Sequence, residues 1–585
     1  VTKILEKSTG PFLLDSNCNT KDNLHFEECE LTELAELTDL CEFDFDVLDY
    51  IKTLDFQLRK WAIKNNVSLV ATSELLKILK KRGHPSLPMD ARTLLKTPAK
   101  VNVVKMGSGQ FWYGGLKTKL VDVCKKNKSQ SLELTLHIDG TPVYKSSKSE
   151  FWPIQCSVNG IEMKAFFVCL YKARSFLKSI ISHSGYFSCE RCEEKGEYLR
   201  KIKKNGTTNG TNLERKRNAG HVCLVGTNAP LRTDNSFRSR ENEEHHNGVS
   251  PLEELPIDMI RDIPLEYLHL VLYGIMKRLL TMWMEGTKNF KFSDSDISEI
   301  SEKHIQANCT KPSEIVKSNR SLRCLSFWKA AEFRTFLLKT GPIALQGSLT
   351  GEMYNHFMAL HCGVTICTSE KLNKFLPVAR SLFRSFTERF GEIYGNEYAT
   401  YSTHSLIHVV DDVERLGVLD NYSAFPGESN LGFLKNLVRG GHLPLQQVIK
   451  RLAERELCEK ICQFEKEKEK GRMEGLHKNI LRLKGLRLDS SEKNRWILTK
   501  KMEIFKIERM SENRTIIEIH GAALLKENQE NLYDLPIKSK QLFTFKSKLV
   551  ETPLSITLGD MFCKLYRIQI DNEKSAFLPL FHYTQ

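Results

Sequence analysis

Residues 132–157 read LELTLHIDGTPVYKSSKSEFWPIQCS. Leu132, Leu134, Leu136 and Ile138 alternate with Glu133, Thr135, His137 and Asp139, the period-two pattern of a half-buried strand. The alternation puts Asp139 on the face opposite the apolar row, at the end where the chain turns through Gly140-Thr141-Pro142. Phe151 to Cys156 follows closely enough to return as an antiparallel neighbour. An aspartate before glycine commonly caps a turn. A carboxylate at the tip of a strand is also a fixed platform for a metal ion, because the sheet holds it still. The rest of the chain has to choose between the two.

At 585 residues the chain has room for roughly two to four domains and a large core. Hydrophobic residues at 41% and charged residues at 27% are ordinary for a globular protein, which sets aside fibrous and disordered classes. No run of 18 apolar residues and no signal peptide is seen, so neither membrane insertion nor secretion is expected. Sixteen cysteines are too few for a disulfide scaffold in this length and read as reduced residues of an intracellular protein. In that setting Asn205-Gly-Thr and Asn209-Gly-Thr stay unglycosylated.

The net charge of +14 permits a polyanionic partner. Half of that excess lies between Lys466 and Met510, where 14 Lys/Arg face 7 Asp/Glu. Its first part, EKEKEK, reads as a solvated helix face. Farther on, Lys and Arg interleave with Leu and Trp in a way that could follow a phosphate backbone with little sequence selectivity. No helix-turn-helix or zinc finger that would read bases is visible.

Leu54 to Lys81 reads as an amphipathic helix or helix pair, and the polar stretch 201–248 as an exposed loop. Pro264 suits the first turn of a helix through Leu265, Leu268, Leu272, Ile275 and Leu279. Thr403 to Arg415 is a helix stopped by Gly417. Another begins near Ser429, after the loop SAFPGE, and a long one runs from Leu445 to Lys470. From about Asn513 short β-rich runs take over.

Two cysteines spaced as Cys189-x-x-Cys192 can chelate zinc through a tight turn, but a structural site needs four ligands. His404 and His408, at i and i+4, share one helix face and offer the missing pair. Asp411-Asp412 follows them and reads as a solvated face that could reach His408 from behind. Cys458 and Cys462 sit in a charged helix and read as incidental.

Taken in order, HIDGTPVYKSSKSEFWPI, HSGYFSCERC, IPLEYLHLVLYGIMKRLL, FWKAAEFRTFLLKTGP, THSLIHVVDDVERLG and SAFPGESNLGFLKNLVR resemble the transposases of animal DNA transposons, near the CACTA (EnSpm-like) group. The resemblance covers roughly residues 87–451, and the β-rich tail is similar to the end such proteins carry. It implies a ribonuclease-H-like core interrupted by a zinc-containing, mainly helical insertion. It also implies an aspartate–aspartate–glutamate (DDE) triad holding two Mg²⁺ or Mn²⁺ ions for phosphoryl transfer on DNA. On this sequence the first aspartate is Asp139 and the glutamate is Glu428, in FPGES where the family more often has FPFEN. The structural zinc ligands are Cys189, Cys192, His404 and His408.

The second aspartate falls on Leu170, in FVCLYKARSF. Only 31 residues separate positions 139 and 170 (170 minus 139), where the family fits two further strands and a helix. Glu266 and His269, in LEYLH, could be offered as replacements, but their helical setting reads as structural polar contact.

The expected architecture is therefore α/β plus α. It runs as an acidic, poorly ordered lead-in (1–56), a helical and loop region (57–120) and the first part of a partly deleted ribonuclease-H-like core (121–182). A zinc-knuckle and helical insertion follows (183–420), then the glutamate-bearing and long helices (421–470), a basic linker (471–512) and a small β-rich domain (513–585). The expected function is that of a nuclear, transposase-derived DNA-binding protein, able to form homo-oligomers, contacting the phosphate backbone and transposon ends, with catalysis lost. Two alternatives stay open: an active cut-and-paste transposase, and a zinc-stabilised protein-interaction scaffold.

Overall fold

The computed structural model describes residues 2–4, 52–106, 109–127, 132–143, 150–158, 166–170, 177–200, 220–287, 289–473, 475–483, 485–513 and 516–581. Most of the acidic lead-in lies outside them, as does 201–219 of the polar stretch. Thr2–Ile4, by contrast, is not loose lead-in but a strand, β1.

β1 joins β2 (Leu134–Ile138), β3 (Pro153–Val158) and β4 (Phe166–Leu170) in a sheet of order β1-β2-β3-β4, antiparallel throughout. The hairpin foreseen around Asp139 is present, with Ile138 opposite Ile154. Its inward face is the reverse of the one the apolar row suggests. Thr135 and His137 are buried, while Leu134, Leu136 and Ile138 are only half-buried. The reason is the neighbour on that side. His137 and its cross-strand partner Gln155 pack against the helix that carries Glu428, and Gln155 Nε2 donates to Gly427 O at 3.3 Å.

β4 pairs with β3, not with β2, so Asp139, Pro153 and Leu170 fall in one cross-strand row. Two strand spacings, about 10 Å, separate the first and last of that row. Among the described residues this sheet has these four strands. What stands is a mixed helix and strand architecture with a helical middle and a C-terminal β half-barrel.

The helical middle buries a dense aromatic core in which Trp283, Phe333, Phe336, Phe357, Phe383 and Phe386 are fully enclosed. Each such side chain contributes roughly 1.5–3 kcal/mol relative to exposure. Pro264 does not open the helix: it lies in the non-helical stretch 264–266, the helix starts at Tyr267, and it winds as a π-helix over Leu268–Met276 before continuing as Lys277–Glu285. Such wide turns occur mostly where a side chain must be re-aimed. Residues 220–248 are folded as well. A strand at His221–Cys223 and a helix at Asp234–Arg238 bury Phe237 and His245.

The basic stretch 471–512 is no linker. After the long helix Pro444–Met473, three short strands (Gly475–His477, Ile480–Leu483, Leu486–Leu488) form a sheet of their own. An eight-stranded antiparallel sheet then begins inside the basic stretch. Its strands are β5 (Trp496–Thr499), β6 (Ile504–Asn513), β7 (Ile516–Leu524), β8 (Gln529–Asn531), β9 (Phe545–Lys548), β10 (Glu551–Thr557), β11 (Met561–Gln569) and β12 (Lys574–Pro579), in the order β8-β9-β12-β11-β5-β6-β7-β10.

The leucines and tryptophan among the basic residues are core. Leu481, Leu488, Trp496, Ile497 and Leu498 are at most 2% exposed, so they cannot lie along phosphates. Arg487 pairs with Asp489 and Arg495 with Glu492. Nor is the β-rich end a separate unit. Trp496, Leu498, Tyr566 and Phe577 belong to the same apolar cluster as the helical middle.

Candidate functional site

Cys189, Cys192, His404 and His408 come together. Each is at most 5% exposed, and one ligand atom from each lies within 4.8 Å of all the others. Cys189 and Cys192 sulfurs are 3.5 Å apart, Cys192 Sγ is 3.2 Å from His404 Nε2, and Cys189 Sγ is 3.7 Å from His408 Nε2. Tetrahedral zinc bonds of 2.0–2.3 Å imply ligand-to-ligand edges of about 3.3–3.8 Å, and these distances match. The two histidines stay on one side of their segment although a 3₁₀ turn, Leu406–His408, interrupts the helix.

The surroundings suit thiolate ligands. Arg191 N–H points at Cys189 Sγ at 3.4 Å, and His404 Nδ1 bonds Gly226 O at 2.9 Å, which leaves Nε2 as the ligand atom. Burial pushes the Cys189 thiol up, but contacts from Cys192, His404 and His408 outweigh it and hold Cys189 well below the usual thiol range. Its partner Cys192 is pushed up, first by its hydrogen bond to that sulfur.

Asp412 is not on a solvated face. It is 3% exposed, and its carboxylate takes two hydrogen bonds from Arg191 at 2.8 and 2.9 Å and one from Leu265 N–H at 2.8 Å, so it braces the knuckle rather than His408. Arg191 also donates to the carbonyls of Ile260 and Ile263. Asp411 is the exposed member of the pair and binds Arg380. Cys458 is buried beside Phe56, with Cys462 packed against the same small apolar cluster.

The second site joins Asp139 to Glu428. The Glu428 helix starts at Phe425, four residues before the expected Ser429, because Pro426 pre-forms its first turn. Glu428 therefore sits in that first turn, where the helix N-terminus favours negative charge. Gly427, Leu431, Leu434 and Leu437 form the buried stripe that seats the helix, the two distal leucines packing on Val143 and Phe151 of the hairpin. Asp139 does cap its own turn, accepting from Gly140 N–H at 2.7 Å, and it also shares a hydrogen bond with Glu428. Burial, then that contact, raise the Asp139 carboxyl to about 6. The hydrogen bond from His269 is the chief cause that holds Glu428 below its usual value.

His269, first read as structural, reaches this pair. Its Nε2 lies 3.3 Å from Glu428 Oε1, and its Nδ1 bonds Glu266 Oε2 at 2.8 Å. Glu266 is buried and accepts from Leu268 N–H, His269 N–H and Ala424 N–H at 2.7–2.8 Å. One carboxylate thus caps the His269 helix and pins the start of the Glu428 helix. Burial pulls the His269 imidazole down, but Glu266 and Glu428 together push it to about 9. A cleft of about 750 Å³, lined among others by Trp152, Lys178, His183, Glu266, His269 and Tyr401, runs from here toward the segment that carries Cys189.

Gly427 has no room for a side chain. A Cβ there would lie 2.0 Å from the His137 ring. Gly427→Ala is expected to cost about 1–3 kcal/mol through overpacking. Hydrogen exchange of residues 425–437 measures the loss, and adding His137→Ala should reverse most of it.

Among known families, one described as a domain of unknown function (DUF8592) matches residues 467–580, the β-rich end with its leading strands. No curated protein matches the chain.

Proposed function

We propose that the chain is a transposase-derived, DNA-binding protein of the nucleus whose DDE-type core has lost two-metal strand cleavage. The observation that carries the reading is the hydrogen-bonded meeting of Asp139 and Glu428, far apart in sequence yet the two carboxylates that the resemblance pairs. The convergence of all four implied zinc ligands supports it independently. The residues present do not fit two Mg²⁺ ions. Leu170 offers no oxygen, its backbone lies in the row two strands from Asp139, and the third donor beside the carboxylates is a histidine nitrogen. The net charge of +14 supplies attraction for a phosphate backbone.

Binding of end-labelled duplex DNA at graded salt tests the reading. Binding that weakens as a straight line in log–log form, with a slope of several units, is expected for several neutralised phosphates. No binding near 50 mM salt would overturn the DNA-binding claim and favour a protein-interaction scaffold. Mg²⁺- or Mn²⁺-dependent nicking that disappears in Asp139→Ala would overturn the loss of cleavage.

A further inference from the structure

We propose that Asp139, Glu428 and His269 Nε2 form a three-ligand site for one divalent first-row transition ion of the Mn²⁺ type, in place of a pair of Mg²⁺ ions. This deepens the reading of the same site given above. Three donor atoms, two carboxylate oxygens and one imidazole nitrogen, lie within 4.8 Å of one another. His269 Nε2 and Glu428 Oε1 are 3.3 Å apart, close to the roughly 3 Å edge of an octahedron with metal–oxygen bonds near 2.1 Å.

The histidine is prepared as a ligand. Its Nδ1 is engaged by Glu266, which fixes the ring and leaves Nε2 toward the carboxylates, the carboxylate–histidine–metal arrangement of known sites. Glu266 cannot turn away, because three backbone N–H groups hold it. A mixed nitrogen and oxygen donor set suits Mn²⁺ and its neighbours better than Mg²⁺, which prefers oxygen alone.

A second observation points to the same place. His137 lies two residues before Asp139 on the same face of β2, is 8% exposed, and has no hydrogen-bond partner at either ring nitrogen. Its ring lies against Gly427, next to Glu428, and the charges that act on it include those of Glu266, Glu428 and His269. A buried polar ring without a partner is costly, and a water on the bound ion would satisfy it. His269 also lines the cleft described above, so an ion held by these residues would lie beside a space that could admit a phosphate group.

Mn²⁺ titration of the DNA-free, zinc-loaded chain, followed by electron paramagnetic resonance, tests the site. One Mn²⁺ per chain is expected, bound at least ~10-fold more tightly than Mg²⁺ displaces it, with pulsed spectra showing coupling to a histidine nitrogen. His269→Gln and Asp139→Asn should each weaken binding by about 10–100-fold, and His269→Gln should remove the nitrogen coupling. Unchanged zinc content identifies variants that still fold. No bound Mn²⁺, no nitrogen coupling in the unaltered chain, or equal affinity for Mg²⁺ each overturns the proposal. Because DNA is left out, such a failure leaves the DNA-binding claim standing.

Discussion

Cys192→Ser is expected to abolish stoichiometric zinc and to loosen every segment that meets at the knuckle. Structural zinc sites contribute apparent binding energies on the order of 10 kcal/mol, and in such sites binding energy is folding energy. Here the four ligands tie residues 189–192 to the segment Tyr401–Leu416. The loss should travel farther. Arg191, held between the two cysteines in sequence, binds Asp412, which accepts from Leu265 N–H, and Leu265 precedes the Glu266 that orients His269. Elemental analysis and hydrogen exchange check both parts: one zinc per unaltered chain, none in the variant, and faster exchange over 187–200, 401–416 and 264–270. Cys223→Ser is the control. Cys223 is equally buried but hydrogen-bonds only the His221 carbonyl, so zinc should stay. Zinc-free protein in both cases, or equal exchange, would contradict the site.

The buried cluster of two cysteines and two histidines is legible because cysteines at i, i+3 and histidines at i, i+4 carry their geometry in their spacing. Asp139 was legible because alternation and an Asp-Gly turn mark a strand end. Which face of that strand turns inward was not. Hydropathy favours the leucine row, yet a histidine and a glutamine are buried instead, since Gly427 leaves room for the ring and a carbonyl for the amide. Periodicity has no term for such a pairing across nearly three hundred residues.

Sequence alone gives His269 no special place for a related reason. It sits in a run with helical spacing, and helical spacing predicts an ordinary core stripe. The Glu266 carboxylate that aims it is held in part by the N–H of Ala424, at the start of a distant helix. The strands of the basic stretch are hidden in a different way. Its lysines and arginines dominate the composition, while the short apolar runs between them are the strands. Their charged neighbours find acids, some of them far off in sequence, and that pairing becomes visible only after folding.

One such pairing carries the second large effect. Glu314→Ala is expected to destabilise the seam between the helical middle and the β half-barrel by about 3–5 kcal/mol, the usual result of leaving one charge buried and unpaired. Lys564, on β11, is fully buried, and its ammonium contacts Glu314 Oε1 and Oε2 at 2.9 and 2.8 Å, Arg487 O at 2.7 Å and Asn494 Oδ1 at 2.7 Å. Glu314 also accepts from Arg487 N–H at 2.9 Å, so removing it frees two donors at once. Burial holds the Lys564 ammonium below its usual range, so over that interval the unfolded chain binds more protons and stability rises with pH. The deficit of Glu314→Ala should accordingly shrink toward alkaline pH, as the unpaired lysine sheds its proton more readily. Lys564→Met in the same chain should restore most of the stability, because an apolar side chain of similar length asks for no counter-charge. Hydrogen exchange over Trp496–Thr499 and Met561–Gln569 reads the seam locally, which matters in a chain of this size where unfolding is not all-or-none. A loss below about 1 kcal/mol, or a double variant no better than Glu314→Ala, would mean that the seam is held by its apolar contacts alone.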